Sequence, residues 1–186
     1  MTSIPLENRN RRVGIIALAV AIAMLGVGYA AVPLYRLFCQ VTGFAGTTQR
    51  ATEAEAAVAA EKATGDKISI RFDASIDRGM PWAFRPEQVT QKVTIGQRSM
   101  AYFTAKNNSA VPVTGTASFN VSPEQAGRYF NKIQCFCFTE QTLQPGEEMR
   151  MPVLYFIDPA ALEDDNMKGV QQITLSYTFH VSKTGA

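Results

Sequence analysis

The chain has 186 residues, is 46% hydrophobic, and carries a formal net charge of +2 at pH 7. Its excess of positive charge comes from Arg9, Arg11, Arg12 and Arg36, whereas the region beyond Phe38 carries a formal charge of −1. A near-neutral C-terminal region lacks the basic surface that nucleic-acid binding needs, so we exclude nucleic acid as a partner.

The first predicted element is a membrane-spanning helix. Residues 13–32 form a run of twenty residues without a charged side chain, which at about 1.5 Å per residue spans the roughly 30 Å of a bilayer's hydrocarbon core. Pro33 and Tyr35 fit a helix end at the interface, so we place the transmembrane helix at 13–35. A cleaved signal peptide is the alternative, since Gly28 and Ala30 have the small-x-small spacing of a passable cleavage site. The apolar core of such a peptide should be shorter, about 7–15 residues.

The arginines before this helix predict its orientation. Arg9, Arg11 and Arg12 precede the apolar run, and only Arg36 lies close on the far side. The positive-inside rule therefore places residues 1–12 in the cytoplasm and everything after the helix outside it. This predicts a single-pass signal-anchor protein.

Residues 36–66 are predicted to be a juxtamembrane segment and tether. The part from residue 43 is rich in Ala, Thr and Glu and has almost no large apolar residue. Thr52 and Glu55 have the spacing of a capping box, and the alanine-rich run to Lys62 favours a helix. We predict a semi-flexible tether with one helical stretch that ends near Gly65.

From Lys67 the hydrophobic period changes to two, which is typical of half-buried strands. Two short helical turns are also predicted, at residues 123–129 and 159–164. Seven strands in roughly 120 residues predict that 67–186 form an immunoglobulin-like β-sandwich, an all-β domain after one transmembrane helix. The predicted strands are 68–76, 88–95, 99–107, 113–121, 133–138, 148–156 and 173–181.

Cys135 and Cys137 are the first candidate site residues. In a strand over residues 132–139 both thiols would project from one face, with Phe136 and Phe138 on the core face. An outward pair of thiolates can exchange a ligand and suits a soft metal ion. The alternative is a disulfide or two inert thiols. For the disulfide, an extended strand separates the two Cα atoms by about 6.6 Å, near the upper limit of about 6.8 Å.

His180 is the only histidine, and the alternation of the last strand places it on the outer face as an ordinary surface residue. Blue-copper sites need two histidines, and catalytic zinc sites usually use histidine or mixed ligands. A four-cysteine zinc site needs one thiol more than the three present. What remains is binding by thiolates alone, which suits Cu(I) best.

Cys39 is the third cysteine and directly follows the apolar segment. An odd cysteine outside the cytoplasm indicates a free or intermolecular thiol. The alternative is a small buried residue at the bilayer surface. Its position also suits the transfer of a metal ion at membrane level.

Several sequence blocks carry a family resemblance, among them the long run around Cys135 and Cys137. The blocks are residues 38–43, 120–123, 126–127, 129–130, 132–141, 145–147 and 151–153. On these motifs the chain resembles the CtaG family of cytochrome c oxidase assembly proteins, which deliver copper to the Cu-B centre of oxidase subunit I.

The resemblance implies that Cys135 and Cys137 bind Cu(I), and that Cys39 helps to load or transfer it. It implies a copper chaperone rather than an enzyme, anchored in the bacterial inner membrane with its sandwich in the periplasm. The partners would be cytochrome c oxidase subunit I, an upstream copper donor and a second copy that shares metal in a dimer.

Two other functions stay open. The first is a periplasmic thiol–disulfide oxidoreductase that uses the cysteine pair, although such enzymes usually carry C-x-x-C at a helix start. The second is an anchored sandwich that binds only proteins and whose cysteines are incidental.

Overall fold

The computed structural model describes residues 6–42 and 49–182. The chain divides into two compact units, Met1–Cys39 and Gln40–Ala186. The described residues of the first unit form a helix, and those of the second form mainly β-strands.

Helix α1 runs over Leu6–Thr42 and contains Pro33. Its stretch Asn10–Cys39 is long and apolar enough to cross a membrane, which is consistent with a single-pass membrane anchor. The predicted helix end near Pro33 is wrong. Proline removes one backbone donor, but its fixed φ is helical, and membrane-spanning helices tolerate it.

The second unit is a β-sandwich, as the alternating pattern predicted. Its described residues form two five-stranded sheets, one in the order β1-β7-β9-β5-β3 and the other in the order β4-β2-β10-β6-β8. The pairs β1–β7 and β2–β10 are parallel, and the remaining pairs are antiparallel. The strands are β1 (Gln49–Arg50), β2 (Lys67–Ile76), β3 (Trp82–Pro86), β4 (Thr90–Thr94), β5 (Ser99–Asn107), β6 (Val113–Ser122), β7 (Phe130–Cys135), β8 (Gln141–Leu143), β9 (Glu148–Ile157) and β10 (Gln172–Val181).

An aromatic core fills the space between the sheets. Strand β10 shows how the sequence builds it, because Ile173, Leu175, Tyr177 and Phe179 alternate with more exposed residues and are all completely buried. Burying one large apolar side chain contributes about 1.5–3 kcal/mol, so this face alone stabilises the packing of the sheets. The largest members of the core are Trp82, Tyr155, Tyr177, Phe72, Phe103, Phe130 and Phe179.

The predicted helical stretch before Lys67 is present and lies against the sandwich. Helix α2 covers Glu53–Glu61 and begins with the predicted capping box of Thr52 and Glu55. Its Ala56 and Ala59 are buried in a cluster with Phe156. The packed region therefore begins before Lys67, in contrast to the semi-flexible tether that composition predicted. Only two small residues of α2, Ala56 and Ala59, pack on Phe156. The sequence of the helix therefore shows no hydrophobic periodicity that would have predicted this packing.

Candidate metal centre

The cysteine pair lies where β7 ends. The predicted strand over residues 132–139 is wrong in its second half, because β7 stops at Cys135 and a 3-10 turn follows at Phe136–Phe138. The pairing of β7 with β9 shifts register between Lys132 and Gln134, and the Cys137 amide donates a hydrogen bond to Cys135 Sγ at 3.2 Å. The turn abolishes the strict alternation on which the face assignment depended.

The turn brings the two sulfurs into contact. Cys135 and Cys137 form a disulfide, with their Cα atoms 5.1 Å apart. Cys135 is buried and Cys137 is partly buried. The predicted outward-facing thiols are therefore wrong, while the predicted burial of Phe136 is confirmed. The turn shortens the Cα separation that an extended strand would impose, which explains why the pair closes.

A tyrosine from the facing sheet contacts both sulfurs. The Tyr177 hydroxyl lies 3.1 Å from Cys135 Sγ and 4.0 Å from Cys137 Sγ. Tyr177 is completely buried, and this burial raises the pKa of its hydroxyl well above the usual value. The hydroxyl therefore keeps its proton and is a hydrogen-bond donor at the sulfur pair.

A buried lysine lies on the other side of Cys137. Lys132 is completely buried, and its Nζ lies 3.8 Å from Cys137 Sγ and 2.8 Å from the centre of the Phe119 ring. Burial, with a smaller contribution from the charge of Arg50, lowers the pKa of Lys132 to about 6. Arg50 itself lies over the Phe138 ring at 4.0 Å, so a guanidinium charge lies beside the turn while Lys132 is mostly neutral at pH 7.

Lys132 and Tyr177 did not figure among the sequence-predicted site residues. The sequence contained a signal for each. Lys132 is four residues before Phe136, so in the predicted strand it points to the same core face, and Tyr177 lies on the core face of the last strand. A lysine predicted on a core face is unusual enough to mark a site, because an unpaired buried charge is costly.

The three predicted metal-binding cysteines divide between the two units. Cys135 and Cys137 meet in the sandwich, while Cys39 lies in α1 of the other unit as a free, partly buried thiol. Over residues 6–42 and 49–182, no cluster of three or more His, Cys, Asp or Glu side chains could hold a metal ion. The chemistry of the sandwich site therefore rests on two sulfurs and the groups that face them.

His180 lies outside this centre. Its ring nitrogens lie 3.1 Å from Asp77 Oδ2 and 2.8 Å from Ser118 Oγ at the surface. The prediction of an ordinary surface histidine is confirmed.

Comparisons with known proteins extend over most of the chain. Residues 31–181 match the family described as cytochrome c oxidase assembly protein CtaG/Cox11. A protein named cytochrome c oxidase assembly protein CtaG from Sinorhizobium medicae (strain WSM419) is 47% identical over 94% of this chain and 87% of its own length.

Two further relatives carry the same name. The protein from Cereibacter sphaeroides is 52% identical over 88% of this chain and 83% of its own length. The protein from Paracoccus denitrificans (strain Pd 1222) is 49% identical over 94% of this chain and 86% of its own length. Among solved structures, a PapD-like domain of human CEP192 has a TM-score of 0.27 and 10% identity, and covers 67% of this chain and 89% of that domain.

Proposed function

The chain belongs to the CtaG/Cox11 family of cytochrome c oxidase assembly proteins, and from this premise we propose that it is a membrane-anchored Cu(I) chaperone. Its cargo is one copper ion destined for the Cu-B centre of oxidase subunit I. The role is binding and delivery rather than catalysis.

The contact between the sulfurs of Cys135 and Cys137 carries the proposal. Once reduced, two thiolates beside one turn offer the soft ligands that favour Cu(I). This donor set argues against a blue-copper or a zinc site, both of which need further ligands. Among the described residues, no histidine or carboxylate joins the two sulfurs in a metal cluster. Copper binding requires the disulfide to be reduced first, by a dithiol that supplies two electrons and two protons and is itself oxidised to a disulfide.

Delivery to an acceptor within a membrane protein needs a donor held near the bilayer. We propose that α1 spans the bacterial inner membrane with the N-terminus in the cytoplasm and the sandwich in the periplasm. Cys39 follows the apolar core of α1 and would receive the ion at membrane level. The partners are subunit I of the oxidase, an upstream copper donor and a second copy of the chain that shares metal in a dimer.

The disulfide itself favours a second candidate, a periplasmic thiol–disulfide oxidoreductase. A pair that closes within one turn can cycle between oxidised and reduced forms without a large movement of the chain. The two candidates differ in what the reduced pair does next: a chaperone binds Cu(I), whereas an oxidoreductase passes its electrons to a protein disulfide.

The deciding experiment measures copper on the full-length protein in detergent after anaerobic reduction. Wild-type protein should retain Cu(I) against a competing chelator, and the double variant Cys135→Ser/Cys137→Ser should lose it, because a hydroxyl is a poor ligand for a soft ion. Cys39→Ser is the matched control and should retain the sandwich-bound copper. Equal copper on wild type and double variant would contradict the proposed site, and disulfide reduction in a substrate protein without copper binding would support the oxidoreductase.

A further inference from the structure

A buried hydroxyl from one sheet meets the sulfur pair at the end of the other. Tyr177 lies within β10 of the second sheet, and Cys135 ends β7 of the first. Phe103 and Phe136 hold the Tyr177 ring, with ring centres 5.1 Å and 4.9 Å away. The hydroxyl therefore has a fixed position across the sandwich.

The sulfurs are the hydrogen-bonding partners of this hydroxyl among the residues that the structure describes. It lies 3.1 Å from Cys135 Sγ and 4.0 Å from Cys137 Sγ. A buried hydroxyl without a good acceptor is costly. Neutral sulfur is a weak acceptor, whereas a hydrogen bond to an ionised group is about twice as strong. The contact therefore stabilises the reduced, thiolate form of the pair more than it stabilises the disulfide.

We propose that Tyr177 is a positioning residue for the sulfur pair, whose O–H donates to Cys135 and favours the reduced, Cu(I)-binding form over the disulfide. The inference rests on the proposed copper function and deepens it. Reduction breaks the S–S bond: a dithiol supplies two electrons and two protons and becomes a disulfide. The Cys135 thiol releases its proton to solvent and becomes the thiolate that accepts the hydrogen bond from Tyr177, and the Cys137 thiol releases its proton when Cu(I) binds.

The chain offers a matched pair of variants for the test. Tyr177→Phe removes only the hydroxyl at the sulfurs. Tyr155→Phe removes a hydroxyl from an equally buried tyrosine, whose oxygen lies 3.0 Å from Gln91 Oε1 instead. Both variants keep the aromatic ring, so a loss that is due to packing should appear in both.

Two quantities are measured on the full-length protein in detergent. The first is the reduced fraction of the pair in a copper-free dithiol redox buffer. For Tyr177→Phe we expect the equilibrium constant for reduction to fall about tenfold, since hydrogen bonds to charged groups are the stronger class. This corresponds to a potential about 30 mV more negative. The second is Cu(I) affinity by chelator competition, which should also fall about tenfold, while Tyr155→Phe changes neither quantity.

The outcomes separate this inference from the proposed function. An unchanged potential in Tyr177→Phe, or an equal shift in Tyr155→Phe, overturns the role of the hydroxyl even if wild-type protein binds copper. Absence of copper binding in wild type overturns the proposed function instead, because the potential is measured without copper. Incorporation of 3-fluorotyrosine at position 177 provides a second variant that keeps the ring and strengthens the donor. It should shift the potential in the positive direction, and a negative shift would overturn the inference.

Discussion

Lys132 Nζ lies 3.8 Å from Cys137 Sγ inside the sandwich, and the lysine side chain is completely buried. No carboxylate of the described residues forms an ion pair with it; Nζ also lies 2.8 Å from the centre of the Phe119 ring and 5.5 Å from that of Tyr177. An unpaired buried charge is costly, and the lysine is therefore mostly neutral at pH 7 in the oxidised protein, with a pKa lowered to about 6. Reduction of the disulfide would allow a thiolate to form next to the lysine, and this negative charge would favour the protonated form of Lys132.

Replacement of this lysine should change how stability depends on pH. Burial lowers the pKa of Lys132 to about 6, whereas an unfolded lysine titrates near 10.4. Between these values the unfolded chain binds more protons than the folded chain, so the contribution of Lys132 to stability rises with pH. Oxidised Lys132→Met should therefore be more stable than wild type at pH 7. Its advantage should shrink by roughly 1.4 kcal/mol per pH unit towards pH 10.

Urea unfolding of the full-length oxidised protein in detergent tests this expectation. Trp82 is the only tryptophan and is 2% exposed, so its fluorescence reports unfolding of the sandwich. Lys62→Met is the control, because it makes the same substitution at an exposed position outside the core. A stability difference between Lys132→Met and wild type that stays constant from pH 6 to pH 10 would contradict the lowered pKa.

Long alternating strands such as β10 were predictable from the sequence, whereas the short strands β3 and β8 and the sulfur site were not. The alternation in β10 places Tyr177 and Phe179 in the core because neither a bulge nor a turn interrupts the strand. At Cys135 the alternation fails for two reasons. The register of β7 shifts between Lys132 and Gln134, and a 3-10 turn begins at Phe136. A hydrogen bond from a backbone amide to a cysteine sulfur leaves no trace in a hydrophobic period.

Cys39 provides a test of the transfer step. Cys39→Ser should fold, insert into the membrane and retain copper at Cys135 and Cys137, because Cys39 belongs to the other compact unit. Cells that carry only this variant should nevertheless have little active oxidase, since thiolates can pass a bound ion between them without releasing it to water. The measurements are oxidase activity and Cu-B occupancy. If the Cu-B centre is filled to the wild-type level in cells with Cys39→Ser, then Cys39 is a packing residue and Cys135 and Cys137 are the whole site.

The orientation of α1 can be tested separately from copper. The arginines before the apolar span predict that the N-terminus stays in the cytoplasm. A reporter enzyme that is active only outside the cytoplasm, fused after Ala186, should be active. Replacing Arg9, Arg11 and Arg12 by glutamine should reduce that activity, because the charge bias that orients the helix is lost. If a reporter that is active only in the cytoplasm is active at the same position of the wild-type chain, the predicted topology is wrong. Delivery from the periplasm would then have no basis.

The docking of α2 on the sandwich can be tested with two glycines. Gly96 and Gly79 have nearly the same backbone angle, with φ of +87° and +88°, but a Cβ at Gly96 would lie 2.7 Å from the Ala59 carbonyl oxygen of α2. A Cβ at Gly79 would meet nothing within 4 Å. Substitution by alanine therefore imposes the same backbone penalty at both positions, roughly 1–2 kcal/mol, and adds a clash with α2 only at Gly96.

Gly96→Ala should lower the free energy of unfolding by more than Gly79→Ala, by at least about 1 kcal/mol, because α2 must move or the backbone must strain. Urea unfolding followed by Trp82 fluorescence gives this difference. Limited proteolysis locates it: cleavage within Glu53–Glu61 should accelerate in Gly96→Ala and stay at the wild-type rate in Gly79→Ala. Equal losses of stability and equal cleavage in the two variants would mean that α2 does not depend on this contact, and that the segment before Lys67 behaves as the tether predicted from composition.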